Sequence, residues 1–413
     1  MTLNRRLRPS QDDRELRLWN VALVLALAFL TALAVAAAVF YTGWDLLGAR
    51  GLKSERRIDS KTLFDLVKLS FGVVAGSGAL VALVVAYRRQ RVDEAGAHRE
   101  ATRLHTERFS QAIDKLGSDS PAVRLGGVHA LAGLADDAPD DNLRQTCIDV
   151  LCAYLQLPFT PDPGNDLAHQ EEHHRYLALR KVRHTILRLI GDHYRRPRGS
   201  HRSWQGCDLD LTNGTIDCSM DFRGTRFSGG TVRFDGSTFS DGTVSFRDAT
   251  FSDGEVLFSG STFSGGTVRF SGSTFSGGTV LFNGSTFSGS RVYFDGATFS
   301  DGRVNLGSST FSGGTVLFNG STTFSGSRVH FGGSTFSGGT VHFSGSTFSD
   351  GRVTFDGATF SSSTVHFDRA TFSGSRVYFD GATGPAPDGL LDAVGTPVAP
   401  EVSLPSAWLP ANP

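Results

Sequence analysis

The chain has 413 residues, with 40 Lys and Arg against 41 Asp and Glu and a formal net charge of −1. So even a balance supplies no one-signed field of the kind that nucleic-acid binding or DNA mimicry needs. Cysteine occurs only at 147, 152, 207 and 218, and no pair has the two-residue spacing of a zinc site.

From the N-terminus, Val21 to Tyr41 is uncharged and apolar almost throughout. Leu69 to Tyr87 is similar, with Gly72, Gly76 and Gly78 inside it. Each approaches the ~20 residues that span a bilayer, so residues 1–91 read as a transmembrane hairpin with spans 21–41 and 69–87. A cleaved signal peptide competes for the first run, but that run is long and a second follows it. Arg5, Arg6, Arg8, Arg14 and Arg17 precede the first span, and Arg88, Arg89 and Arg91 follow the second. This places both termini in the cytoplasm and the chain in the plasma membrane, although Arg50, Lys53, Arg56, Arg57 and Lys61 in the loop pull the other way.

Residues 92–200 read as a helical stalk or cap. Val92 to Leu116 forms a charged helix ending on the stripe Phe109, Ala112, Ile113 and Leu116. Ser120 caps a second helix with Pro121 at its first position. Asp140 or Asp141 starts a third, carrying Leu143, Ile148, Leu151 and Leu155, and a last helix runs from about His169 to Tyr194. The stretch from Ser120 to Asp136 resembles a HEAT-type helix.

From Phe222 to Phe379 the sequence repeats every twelve residues. One Phe series is Phe234, Phe246, Phe258, Phe270, Phe282 and Phe294. The other is Phe239, Phe251, Phe263, Phe275, Phe287 and Phe299. A fixed period of this kind is the signature of a solenoid. Val232, Phe234, Ser237 and Phe239 share one parity, and Arg233, Asp235, Thr238 and Ser240 the other, which reads as two short strands per unit with Gly at the corners. These twelve Phe residues are therefore the expected structural core of the repeat. The five-mers, Val-Tyr-Phe-Asp-Gly and Ala-Thr-Phe-Ser-Asp around Phe294 and Phe299, resemble the pentapeptide-repeat family over roughly residues 207–380. That resemblance implies a right-handed β-helix. Two spare residues per pair, and Thr where the family uses Asn or Asp, depart from its pattern.

A twelve-residue coil would hold opposite sheets much closer than the ~10 Å of packed sheets, so two units, 24 residues, are expected to close one four-sided coil. About seven coils at ~4.8 Å make a rod on the order of 34 Å long. The extra Thr at Thr322-Thr323 should bulge at a corner. Residues 381–413 form a Pro-rich tail that either caps the rod, through Leu390, Leu391, Val394, Leu404 and Trp408, or stays disordered. The fold class is thus α+β and multidomain: transmembrane hairpin, helical block, β-helix. That order is similar to a group of actinobacterial membrane proteins and implies no activity.

Candidate chemistry is sparse. His169-Gln-Glu-Glu-His173 matches a metallopeptidase pattern, with Glu172 as base, but no third ligand is identifiable; a solvated helix N-terminus explains it. His342 and His366 lie 24 residues apart in an outward position, with His330 in an equivalent place. Thr238, Thr250, Thr262, Thr274, Thr286 and Thr298 should form outward ladders, which would suit ice or glycans if the rod were outside the cell. From residue 222 to 380, 11 Arg stand against 10 Asp and Glu255, so nucleic acid is not an expected partner. The cysteines read as structural thiols, a Cys207–Cys218 bridge staying open if the rod is outside. No catalytic residue, cofactor or metal is assigned. The expected partners are the bilayer and an unidentified protein, with a homo-oligomer left open, and the expected role is a membrane-anchored scaffold.

Overall fold

The structure, a computed structural model, describes residues 60–409 less 161, 165, 253, 362, 363, 396, 397 and 399, together with residues 30, 31, 34, 37, 38, 41, 42 and 45. The chain divides into two compact units, Met1–Ala101 and Thr102–Pro413.

Helix α1 (Ser60–Leu116) supplies residues to both units. Among the described residues, no helix is long and apolar enough to cross a membrane, so the expected two-span hairpin is not supported. The first run lies outside the described residues apart from Leu30, Thr31, Ala34, Ala37, Ala38 and Tyr41. The second falls within α1, where Leu69, Phe71, Val81, Leu83, Val85 and Tyr87 are exposed. Glycines thin out the apolar run, and from Arg88 onward the helix is heavily charged.

In the second unit, α2 (Pro121–Asp136), α3 (Asp141–Gln156) and α4 (Gln170–Tyr194) match the helices read from the sequence. Pro121 sits in the first turn of α2, where a missing N–H costs nothing. Asp140 caps α3 by accepting from the Leu143 N–H at 2.8 Å. Val128, Leu131, Ile148, Leu151, Val182, Ile186 and Ile190 pack into one apolar core between these helices.

That core runs without a break into the rod. Residues from Leu209 onward form four parallel sheets, one nine-stranded and three seven-stranded, so the coil is four-sided. Thr262 pairs with Thr286 and Val280 with Val256, a separation of 24 residues. The first face starts at Leu209–Asp210 and reaches Arg376–Tyr378, and the second runs from Thr215–Ile216 to Thr359–Phe360. The third runs from Met220–Asp221 to Thr364–His366, and the fourth from Arg226–Ser228 to Thr371–Ser373.

All twelve Phe residues of the two series point inward and are buried: Phe234, Phe246, Phe258, Phe270, Phe282 and Phe294, and Phe239, Phe251, Phe263, Phe275, Phe287 and Phe299. The rings form four columns. Phe258 stacks on Phe282 at 4.7 Å, Phe263 on Phe287 at 4.8 Å, Phe270 on Phe294 at 4.9 Å and Phe275 on Phe299 at 4.6 Å, with planes within 6°. One coil earlier, Phe246 stacks on Phe270 at 4.9 Å and Phe251 on Phe275 at 4.7 Å, continuing the last two columns. These distances equal the ~4.8 Å strand spacing, so the backbone ladder itself sets the ring contacts. Two columns also meet edge-on across the interior, as Phe258 does with Phe270 at 6.2 Å and 89°. Leu306 keeps its place in the first column and is fully buried.

The small inward position is Ser or Ala, and many of the buried Ser hydroxyls are satisfied by the coil before. Ser261 donates to the Phe234 carbonyl at 2.6 Å, Ser285 to Phe258 at 2.7 Å and Ser309 to Phe282 at 2.7 Å. Corners use tight turns: the Ser237 N–H donates to the Phe234 carbonyl, with Gly236 at φ +67°. The extra residue widens one corner by one position. Ser321 adopts φ +62°, Thr322 turns inward to donate to the Phe294 carbonyl, and Thr323 takes the strand position opposite Thr298.

Both ends of the rod are covered. Tyr194 of α4 packs on Phe222 and Phe227, and its hydroxyl donates to the Cys207 carbonyl at 2.8 Å. Gly191 passes so close to the first coil that a Cβ there would lie 2.9 Å from the Asp221 carbonyl oxygen. At the far end α5 (Leu390–Val394) packs on the rod and Val402–Ser403 adds a strand beside Val377 and Tyr378. Trp408 lies edge-on to Phe360 and Phe379 and donates to the Gly384 carbonyl at 2.8 Å. The tail thus covers rings and a strand that would otherwise invite edge-to-edge association. All four cysteines are free thiols.

Candidate functional site

The rod keeps its apolar groups inside, so its chemistry lies in the outward columns that the 24-residue register builds. On the second face Thr238, Thr262, Thr286, Thr310, Thr335 and Thr359 are successive partners, with Thr215 before them and Thr383 bridged after. On the fourth face Thr250, Thr274, Thr298, Thr323, Thr347 and Thr371 do the same. Most are half-buried, so these faces are flat and hydroxylated.

The register joins two of the three singled-out histidines. His342 and His366 are Cα partners on the third face, with rings stacked at 4.6 Å. His366 Nδ1 lies 3.7 Å from carboxylate oxygens of both Asp368 and Asp388. Burial, reinforced by the neighbouring His366, holds His342 below the ordinary histidine pKa. His330 stands apart on the first face, bonded to Thr354 Oγ1 at 2.5 Å.

In the helical block, His169 ends a short 3-10 turn, Leu167–His169, and His173 lies in the first turns of α4. His173 Nδ1 is bonded to Asp162 at 2.6 Å, and this bond holds the Asp162 carboxyl below its usual range. Glu171 and Glu172 occupy the first turn of α4, as the helix dipole favours. Among the described residues His169, Glu172 and His173 meet no third ligand.

A cluster at the join of helices and rod has no counterpart among the candidates read from the sequence. Arg180 and His184, one turn apart on α4, reach Asp217 of the first coil at 2.9 and 3.1 Å, and Arg180 also donates to the Asp217 carbonyl. Burial alone would raise the Asp217 pKa. The bonds from His184 and Arg180 outweigh it and bring the pKa down to about 2. Cys218 adjoins, its thiol pushed up to about 12 by burial. His184, Asp217 and Cys218 offer ligand atoms within 4.8 Å of one another. Both Asp217 oxygens are already engaged, which makes the cluster a charged tie between α4 and the first coil. At the C-terminal end of α4, Asp136 accepts from Trp204 Nε1 at 3.1 Å and faces His193 Nε2 at 3.2 Å, while His193 stacks on Trp204. A polar cleft of about 490 Å³ opens beside them. Two of its arginines face carboxylates: Arg144 is 2.6 Å from Asp141, and Arg202 is 3.8 Å from Asp136.

The rod's charges, balanced in sum, are not scattered. Arg303, Arg328, Arg352 and Arg376 are successive Cα partners on the first face. The sequence signal for this row is the spacing of 24 or 25 residues. The tie at Asp217 has no such signal, because its partners lie more than thirty residues away in an unrelated element.

Residues 258–310 match the family of pentapeptide repeats (9 copies). Comparison with curated proteins gives no match.

Proposed function

We propose that the chain is a non-catalytic protein-interaction scaffold, presenting the four faces of a capped pentapeptide-type β-helix to another protein. One observation carries this reading: the rod's polar groups stand in continuous outward columns on a rigid frame, and among the described residues they converge on no catalytic constellation. The interior is filled by rings packed ring on ring. Retrieval of partners with the full chain and with a chain lacking residues 207–380 tests it. The expected result is loss of partners with the rod; an unchanged partner set refutes the reading.

We further propose that residues 1–91 hold the chain at the cell membrane with both termini cytoplasmic. The two uncharged apolar runs and the exposed Phe71, Leu83, Val85 and Tyr87 on α1 support this. Labelling of single cysteines in intact cells tests it: a rod cysteine labelled from outside would reverse the orientation, and full extraction of the chain by carbonate would remove the anchor. A metal-dependent hydrolase built on His169, Glu172 and His173 ranks below the scaffold, since His173 is committed to Asp162. An ice- or glycan-binding role for the Thr faces would require the rod to lie outside.

A further inference from the structure

The outward residue that opens a strand is mostly Thr on the third face, at Thr243, Thr267, Thr315 and Thr340. On the first face the early coils carry Thr231, Glu255 and Thr279 there. The next four coils of that face carry Arg303, Arg328, Arg352 and Arg376, all exposed. On the third face Arg291 stands alone between Thr267 and Thr315.

Like charges placed directly opposite on neighbouring strands destabilise a sheet. At ~4.8 Å per coil, four arginines in register span about 14 Å. None makes an ion pair with a described residue, and Arg352 rests over the Tyr378 ring at 4.8 Å. The row ends beside the tail, where Glu401 lies opposite Arg376 in the register, and no described carboxylate lies within ion-pair distance of the four guanidinium groups, which leaves them open to an anionic partner.

We propose that this row is a docking site for an acidic polypeptide segment, a helix carrying carboxylates one turn apart along one face. The inference rests on the scaffold reading and names its partner's chemistry. Three turns of helix advance about 16 Å against about 14 Å for the row, a mismatch of roughly 2 Å that long Arg side chains absorb. Arg forks match carboxylates in bidentate geometry. The flanks narrow the choice. Asp301 and Asp350 precede Arg303 and Arg352 at one corner, and Asp356 and Asp380 follow the face at the other. A narrow acidic stripe on a helix fits between them, whereas the broad phosphate surface of a nucleic acid meets four carboxylates. The face also offers little for base stacking, since Tyr378 already lies against Arg352.

The test uses the full chain and a fluorescent Ala/Lys helical peptide bearing four Glu one turn apart on one face. Its comparators are an isomer with the same Glu dispersed around the helix, and a single-stranded RNA. In low salt the striped peptide should bind more tightly than the isomer and the RNA. Replacing all four arginines by the repeat's own residue (R303T, R328T, R352T, R376T) should weaken it by about tenfold or more, since exposed pairs contribute little singly but add along a row. Arg291→Thr on the third face should bind as the parent does. Equal binding of striped and dispersed peptides, equal binding by the fourfold variant, or preference for RNA would each overturn the proposal. Should the fourfold variant misfold, Arg328→Thr alone and the salt dependence of the parent carry the test. If the fourfold variant keeps every cellular partner that deletion of residues 207–380 removes, the row is refuted while the scaffold reading stands.

Discussion

Replacing Phe282 with Ala probes the interior of the rod at its middle. The ring is fully buried, stacked on Phe258 at 4.7 Å, tilted against Phe263 and Phe287 at 6.1 and 6.2 Å, and edge-on to Phe270 and Phe294 at 6.0 and 6.2 Å. Truncation removes one partner from five aromatic contacts and leaves a cavity walled by backbone that cannot collapse, because the strands above and below fix the coil height. The expected loss is about 3–5 kcal/mol, the range for a buried aromatic cut to Ala. Phe282→Leu should cost less, about 1.5 kcal/mol or under, since Leu306 fills the next place in the same column. Thr286→Ala, on the outside of the same coil, should stay within about 0.5 kcal/mol. Urea unfolding followed by far-ultraviolet circular dichroism gives all three, and variants that keep Trp204 or Trp408 as the one tryptophan of the four report the two ends separately. Because each coil touches only its neighbours, a weak middle should make the ends unfold apart in Phe282→Ala. A loss below about 1 kcal/mol, or one no larger than that of Thr286→Ala, would mean the columns are not a dry packed core.

Two further tests address the ends. Asp217 has a folded pKa near 2 against an ordinary 3.8, so its contribution is full above about pH 4 and is lost as pH falls toward 2. With Arg180 about a third exposed, that contribution is about 1–2 kcal/mol, and Asp217→Asn should remove this part of the acid dependence in urea titrations between pH 5 and 2; an unchanged slope would show that the tie is not formed. Removing residues 385–413 should uncover the Val377 edge and the rings of Phe360 and Phe379, giving concentration-dependent association in sedimentation velocity. A truncated chain that stays monomeric would show that the tail has no capping role.

The two parities of the repeat determined which side chains face inward. Phe, Val and Ser or Ala at alternate places are buried, and Thr and Arg between them are not, because strand alternation is local and needs no knowledge of the partner strand. Phe246 and Phe251 show this: both were legible as core from position in the repeat alone, and both are buried. Helix starts at Pro121 and Asp141 were legible for the same reason, each being set by one or two adjacent residues. What faces what across coils was not local. A twelve-residue period is compatible with a coil of twelve or of twenty-four, and only the space needed by two opposed Phe pairs selects the larger. With that register fixed, His342 meets His366 and four of eleven rod arginines align, so a charge sum of zero over residues 222–380 says little about the surface a partner meets. The tie of Arg180 and His184 to Asp217 came from tertiary structure alone: it depends on how α4 lies against the first coil, and the close approach at Gly191 that permits it leaves no periodic trace in the chain.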